Sequence, residues 1–154
     1  MAASEHGVEL FTLGYEGLTQ DRYLDILQAH GVETLVDIRR IPMSRKPGFS
    51  KRRLSEACAI RRLVYRHMVD LGTPIDVLHA YRETHSHPNF VLGMSAYLDT
   101  KPDAVGALAD LAKQSVCCLM CVEADPNLCH RELVAERVQD RIGTEVCRVV
   151  DLMG

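Results

Sequence analysis

The chain has 154 residues, 47% of them hydrophobic, and a formal net charge of −3, which together suit one folded domain with a single core. Its first ten residues lack the basic start and apolar run of a secretion signal, and no segment approaches the roughly 20 apolar residues of a membrane span. These features exclude a membrane protein and predict a single cytoplasmic domain over residues 1–154. In the cytoplasm, six cysteines favour reduced core residues over a disulfide framework.

The hydrophobic pattern alternates between strands and helices along the whole chain. Thr19 and Ser50 are predicted helix caps, and Gly31 a helix stop. The predicted order is a strand at 8–13, a helix at 19–31, a strand at 33–38, a helix at 50–63, a strand at 63–68, mostly helix with two breaks over 74–114, a strand at 115–123, a helix at 126–143 and a strand at 145–152. Because parallel strands need crossover connections, this alternation predicts an α/β fold, with a mostly parallel central sheet of about five strands flanked by helices.

Basic residues concentrate in one stretch of the chain. Residues 39–66 contain ten basic residues and one acidic residue, Glu56, so this segment carries +9 and the rest of the chain −12. A basic segment inside an acidic chain favours a local anion site over a general polyelectrolyte surface. For residues 51–62, an ordinary solvated helix face is the alternative interpretation.

Unusual polar residues follow three of the predicted strands. In open parallel sheets, ligands bind beyond the carboxyl ends of the strands. The segments in that place are GYEG at 14–17, DIRRIPMSR at 37–45 and VEADPN at 122–127. These loops therefore predict one candidate site. Its pocket is expected to be surrounded by Tyr15, Asp37, Arg39, Arg40, Glu123 and Arg131.

Four motifs carry a resemblance to a known family. TLGYEG, VDIRRIPMSRKPGFSK, VYRHMVDLGTP and CLMCVEADPNLCHRELVAERV resemble, in order and spacing, the small bacterial and archaeal proteins grouped as domain of unknown function 488. The most specific mark is a strand that ends in Cys-x-Glu and is followed by a Cys-His-Arg run. The resemblance implies an α/β fold and a site built from the same loops, but it implies no established reaction.

The cysteines of the fourth predicted strand alternate between its two faces. Cys117 and Cys121 share one face and Cys118 lies on the other, so Cys118 and Cys121 cannot act as a chelating pair. A thioredoxin-like pair at a helix start and a zinc knuckle in a tight turn are both incompatible with a strand interior. Cys117 and Cys118 are therefore predicted to be small core residues.

Cys129 and His130 are predicted in the first turn of the last helix, because Asp125 and Pro126 suit a helix start. The positive end of the helix dipole attracts anions and lowers a thiol pKa, which makes Cys129 a candidate nucleophile. A buried structural cysteine is the competing interpretation. Cys129, His130 and Arg131 are also candidates for contacts to a bound ligand.

A zinc site is a further alternative, with Cys121, Cys129 and His130 as ligands and Glu123 or water as the fourth. Adjacent helix residues diverge by about 100°, so Cys129 and His130 would not aim at one ion. We therefore expect no metal, no other cofactor and no disulfide. His130 is instead expected to bond a nearby carbonyl or carboxylate. Arg131 is expected to reach the ligand or to pair with Glu123, Asp125 or Asp37.

Glu123 is the leading candidate for chemistry, because a carboxylate at the end of an apolar strand is costly to bury unless it is paired. A salt bridge between strand ends is one interpretation. In the functional one, Glu123 or Asp37 is a general base or a hydrogen-bond acceptor. Cys121 adds polar chemistry at the same strand end, and Tyr15, next to Gly14, can stack on a ring or donate its hydroxyl.

Phosphate binding is assigned to the basic loop. Its candidate residues are Arg39, Arg40, Ser44, Arg45 and Lys46. The leading hypothesis is an enzyme that acts on a nucleotide-like or nucleic-acid substrate. A non-catalytic module that binds nucleic acid or a phosphorylated ligand is the main alternative, and a thiol- or zinc-dependent hydrolase is a weaker one. The expected partner is a small anionic or nucleotide-like ligand, with nucleic acid as a second candidate and no membrane contact.

Overall fold

The computed structural model describes residues 7–122 and 130–152. Its strands are β1 (Val8–Gly14), β2 (Thr34–Asp37), β3 (Val64–His67), β4 (Cys117–Cys121) and β5 (Cys147–Asp151). Its helices are α1 (Gln20–Ala29), α2 (Lys51–Ile60), α3 (Ile75–Thr84), α4 (His87–Asp99), α5 (Pro102–Gln114) and α6 (Arg131–Ile142), with a 3-10 turn at Val69–Leu71. This order confirms the predicted α/β fold.

All five strands are parallel and form one sheet in the order β3-β2-β4-β1-β5. Helices α1 and α2 pack on one face of the sheet, and α4, α5 and α6 pack on the other. Each face carries its own apolar core, so the domain has three layers. β4 occupies the middle of the sheet, between β2 and β1, and all five of its residues are buried.

The side chains of β4 alternate between the two cores as predicted. Cys117 and Leu119 pack on the side of α5 and α6, whereas Cys118 and Met120 pack on the side of α1 and α2. Both cysteines are free and fully buried, and burial raises their thiol pKa values. Within the described ranges, no helix combines the length and apolar character needed to cross a membrane.

Two helix starts differ from the sequence-based expectation. Ser50 precedes α2, but its hydroxyl bonds the backbone N–H and carbonyl of Ser44 instead of an N–H of the helix. The described part of the last helix begins at Arg131, so His130 precedes its first turn instead of belonging to it. The predicted start near residue 126 lies outside the described residues, as does Cys129. Thr19 caps α1 as expected, accepting from Arg22 N at 3.1 Å.

Candidate functional site

At the carboxyl edge of the sheet, neighbouring strands lead to helices on opposite faces. β1 and β2 continue into α1 and α2, whereas α6, the helix that follows β4, packs on the other face. Between β1 and β4 the crevice is closed, because Tyr15 N donates to Cys121 O at 3.1 Å and Glu16 N donates to Val122 O at 2.8 Å. The crevice between β4 and β2 is therefore the switch point at which this fold has room for a ligand.

A cavity of about 300 Å³ lies at this open crevice. The end of β4 and the segment after β2 form one side of it, and α3 and α4 supply the opposite wall. Among the described lining residues none is acidic, three are arginines, and most of the others are aliphatic or aromatic. The lining residues are Arg39, Arg40, Ile41, Met43, Thr73, Ile75, Leu78, Tyr81, Arg82, Phe90, Cys121, Val122 and His130.

Arg39 is held in the cavity wall by a two-pronged ion pair. Its Nε donates to Asp37 Oδ1 at 2.8 Å and its Nη2 donates to Asp37 Oδ2 at 2.7 Å. Both side chains are buried, at 4% and 0% exposure. Burial acts to lower the pKa of Arg39, but the bonds to Asp37 outweigh it and the net shift is upward. Asp37 thus positions a permanent cation, and both of its carboxylate oxygens already accept hydrogen bonds.

Aromatic side chains complete the surroundings of this ion pair. The Tyr65 hydroxyl donates to Asp37 Oδ2. Burial, and to a smaller extent that bond, raise the pKa of Tyr65. The Arg39 guanidinium lies 5.6 Å from the ring centroid of Tyr15, which is itself stacked on Phe49 at 4.4 Å. Tyr15 is buried and acts here as packing for Arg39. Arg39 Nη1 is buried and has no hydrogen-bond partner among the described residues.

Arg40 lines the same cavity, but its guanidinium is turned toward the fold. Nη2 donates to Gly72 O at 2.9 Å and to Tyr97 Oη at 2.7 Å, and the group lies 5.3 Å from the centre of the Tyr97 ring. A Cβ on Gly72 would lie 2.4 Å from Arg40 N, so a glycine is what allows the two segments to approach this closely. Arg40 therefore joins the 3-10 turn and α4 to the cavity.

His130 bridges the two sides of the crevice. Its Nε2 lies 2.8 Å from Ile38 O, the predicted bond to a carbonyl, and since a carbonyl only accepts, Nε2 carries the proton. Burial lowers the pKa of His130 to about 4, so the ring is neutral at pH 7. A neutral ring with Nε2 protonated has its lone pair on Nδ1. His130 is thus a polar lining group without charge.

Arg131, predicted around the same pocket, is fully buried and is not among the described lining residues. Its Nε and Nη2 lie 3.3 and 3.2 Å from Asp151 Oδ1, at the end of β5. Its Nη1 donates to Cys121 Sγ at 3.2 Å. The contacts join β4, α6 and β5. The acidic partner at these distances is Asp151, which was not among the predicted partners, and two of those, Glu123 and Asp125, lie outside the described residues.

Cys121 lines the cavity but is disulfide-bonded, so the expectation of no disulfide is wrong at this position. The remaining free cysteines among the described residues are Cys58, Cys117, Cys118 and Cys147, all buried. In the described ranges no group of three His, Cys, Asp or Glu side chains is arranged to hold a metal ion. Glu123 and Cys129, which complete the predicted catalytic and zinc hypotheses, lie outside the described residues.

Of the predicted phosphate-binding residues, Ser44, Arg45 and Lys46 belong to the loop that follows the lining residue Met43. Ser44 N donates to Ser50 Oγ at 3.0 Å and Lys46 N donates to Ser44 Oγ at 3.1 Å, which holds the loop in a compact turn before α2. Arg45 is exposed and Lys46 is half-buried. None of these residues lines the cavity. Gly14, the last residue of β1, is paired with the lining residue Cys121 but does not itself line the cavity.

Sequence reasoning missed the opposite wall. Tyr81, Arg82 and Phe90 come from α3 and α4, which were predicted only as helix. The rings of Tyr81 and Phe90 meet edge to face at 5.4 Å, and Arg82 is exposed. In the sequence, the only local indication of this wall is that Tyr81, Arg82 and Phe90 flank a helix break in YRETHSHPNF, and that indication is weak.

A model of the protein family described as Domain of unknown function DUF488 matches residues 19–138. The matched range runs from the cap of α1 into α6 and includes every described residue that lines the cavity. The family inferred from the sequence motifs is thereby confirmed, although the TLGYEG motif lies before the matched range. The search of curated proteins and the search of solved structures gave no match.

Proposed function

Because the chain belongs to the DUF488 family, whose description names no activity, we propose a function from its own cavity: it binds a small nucleotide-like anion at the β2–β4 switch point. The observation that carries this proposal is the charge of the lining. Arg39, Arg40 and Arg82 line one cavity of about 300 Å³, with no acidic residue among the described lining side chains.

Arg39 is the best-placed group for an anion. Its pairing with Asp37 leaves Nη1 as a buried donor with no hydrogen-bond partner among the described residues. An unsatisfied buried donor is costly, and an anionic oxygen satisfies it with a charge-assisted hydrogen bond. Asp37 and Tyr65 fix the guanidinium, so little side-chain entropy is lost on binding. Arg82, exposed on α3, supplies a second, adaptable cation.

The rest of the cavity suits the ring of a nucleotide. Tyr81 and Phe90 offer aromatic surface, and Leu78 and Ile75 offer aliphatic surface. Neutral His130 adds a polar contact that is independent of pH near neutrality. The volume is at the lower end of small-molecule sites, about 300 to 1,000 Å³, which fits a single mononucleotide better than a dinucleotide. A phosphate at Arg39 and a base against the α3–α4 wall use both parts of the lining.

The enzymatic form of the proposal adds a general base. Sequence reasoning assigns that role to Glu123, which follows the lining residue Val122 in the chain. The described side chains supply binding and positioning. Asp37 acts on Arg39, and the disulfide withdraws Cys121 from thiolate chemistry.

Isothermal titration calorimetry with nucleoside monophosphates, inorganic phosphate and the parent nucleosides tests the proposal. We expect the monophosphates to bind more tightly than inorganic phosphate or the nucleosides, because each of these fills only one part of the cavity. Arg39→Lys keeps a cation beside Asp37 but loses the planar fork and its Nη1, and it should weaken binding about tenfold or more. Arg82→Ala should weaken binding by several-fold.

The matched control is Arg22→Ala, which removes an exposed arginine of α1 that does not line the cavity, and its affinity should equal that of the wild type. Thermal melting of each variant separates lost binding from lost folding. Absence of binding by every monophosphate, or binding that Arg39→Lys leaves unchanged, would overturn the proposal.

A further inference from the structure

The mouth of the cavity is unusually apolar for an exposed surface. Ile41, Met43 and Val122 line the cavity and are 56%, 73% and 41% exposed. Ile75, on the α3 side, is 40% exposed. Apolar side chains that cluster in one place on a surface mark a binding region, whereas scattered ones carry no such meaning. A mononucleotide held inside the cavity leaves this rim uncovered.

A basic surface begins directly beside the rim. Lys51 N donates to Pro42 O at 2.9 Å, which places the start of α2 next to the segment that carries Ile41 and Met43. The turn between them is fixed by the bonds between Ser44 and Ser50 described above. The exposed cations of this basic surface are Arg45 in the turn and, at the start of α2, Lys51, Arg52 and Arg53. Apolar and cationic surface thus adjoin at one edge of the cavity.

The basic surface is short. Glu56, one turn along α2, is exposed close to Arg52 and Arg53. Farther along, Arg61 is engaged by α1, with Nη1 2.6 Å from Asp25 Oδ1 and Nη2 3.4 Å from Asp21 Oδ1. The exposed cations that adjoin the rim are therefore those of the loop and the first turn of α2, whereas Arg62 and Arg66 are exposed beyond the end of α2. A long polyanion would leave this surface and meet the acidic remainder of the chain.

We propose that the nucleotide in the cavity is one unit of a short single-stranded nucleic acid, whose neighbouring base covers the apolar rim and whose adjacent phosphates contact Arg45, Arg52 and Arg53. The inference rests on the proposed function of the cavity and names its substrate class. The face of a base covers apolar surface whatever the base is, and basic side chains beside it follow the backbone. The rim supplies the first contact and the loop supplies the second. The footprint is a few nucleotides.

The test compares a trinucleotide with the corresponding nucleoside monophosphate by calorimetry at several salt concentrations. We expect the trinucleotide to bind about tenfold more tightly, in line with the burial of one base face against the apolar rim. The slope of log K against log salt should be steeper by about 0.7 for each added phosphate contact. A variant with Arg45, Arg52 and Arg53 all changed to Gln should lose the added slope and most of the added affinity, while its binding of the monophosphate stays unchanged.

A variant with Arg22, Lys113 and Arg148 all changed to Gln is the matched control, since it removes the same charge from exposed positions outside the loop. It should bind both ligands as the wild type does. Two results would overturn the inference and leave the proposed function standing. One is equal affinity for the trinucleotide and the monophosphate. The other is a variant with Arg45, Arg52 and Arg53 changed to Gln that still binds the trinucleotide more tightly than the monophosphate by the wild-type factor. Absence of monophosphate binding overturns the proposed function, and a trinucleotide that still binds through the loop then shows a surface independent of the cavity.

Discussion

Two arginines are buried at the carboxyl edge of the sheet, and their surroundings differ in one decisive respect. Arg39 pairs with Asp37 through two short bonds of 2.7 and 2.8 Å, both partners are buried, and it lines the cavity. Arg131 is more completely buried, at 0% exposure, but it contacts the partly exposed Asp151 at 3.2 and 3.3 Å and is not part of the described lining.

Under the proposed function, burial and charge do not by themselves identify a binding arginine. Arg131 joins three elements of the fold, and its contacts stabilise β5 and α6 against β4. Arg39 is held rigidly and retains a buried donor without a partner among the described residues. The useful criterion is therefore whether the guanidinium keeps a donor without a partner after its carboxylate has been satisfied.

The largest expected effect is on stability at the Arg39 pair. Asp37→Asn leaves a buried guanidinium without its counter-charge and should lower the free energy of unfolding by about 4 kcal/mol. Asp151→Asn should cost about half as much, because Arg131 contacts a single oxygen of Asp151, at 3.2 and 3.3 Å, and the amide oxygen of Asn can still accept there. Urea unfolding at pH 7 measures both. A loss for Asp151→Asn equal to that of Asp37→Asn would show that the two pairs are equivalent.

The buried side chain of His130 should make the stability of the protein depend on pH. Its pKa is lowered from 6.5 to about 4 in the folded protein, so between these values the unfolded chain binds the additional proton. Stability should therefore fall as pH drops through this window, by up to about 3 kcal/mol from this group. His130→Gln can keep the donor to Ile38 O and should show a flatter profile between pH 6.5 and 4. Parallel profiles for the two proteins would contradict the assignment.

A substitution at Gly72 tests the close packing of this residue against the backbone of Arg40, which lines the cavity. A Cβ there would lie 2.4 Å from Arg40 N and 2.6 Å from Arg40 Cα, both backbone atoms. Gly72→Ala should lower the free energy of unfolding by about 2 kcal/mol through overpacking. The control is Gly106→Ala, where the added methyl meets only the end of the Arg141 side chain, which can move. Thermal melting should separate the two variants, and an unchanged melting temperature for Gly72→Ala would disprove the close contact.

The smallest effect concerns the Arg131 side of the comparison, where Arg131 donates to the Cys121 sulfur. In protein unfolded without reductant, the four free cysteines among the described residues should react with iodoacetamide, whereas Cys121 should react only after reduction. Peptide mass spectrometry measures each site separately. Alkylation of Cys121 before reduction would show that Cys121 is not disulfide-bonded.

The features that follow from local patterns were predictable. The alternation of Cys117 and Cys118 between two cores follows from the period of a strand, and the place of Arg39 follows from its position just after one. The bond from His130 to a carbonyl was also anticipated, although its partner, Ile38, could not be named.

Other features depend on packing between distant elements. Tyr81 and Phe90 reach the cavity because the α3–α4 pair lies across the end of the sheet, and nothing in their own segments specifies that placement. Arg131 was expected around the pocket, but the place of β5 beside β1 brings Asp151 to it instead. The disulfide at Cys121 was missed because reduced cysteines were inferred from the expected compartment.

A crystal structure of the protein with a bound nucleoside monophosphate would show whether the cavity is the binding site. We expect a phosphate oxygen within hydrogen-bonding distance of Arg39 Nη1 and the base against Tyr81 and Phe90. A phosphate bound at Arg131, or at the start of α2 with the cavity empty, would contradict this expectation.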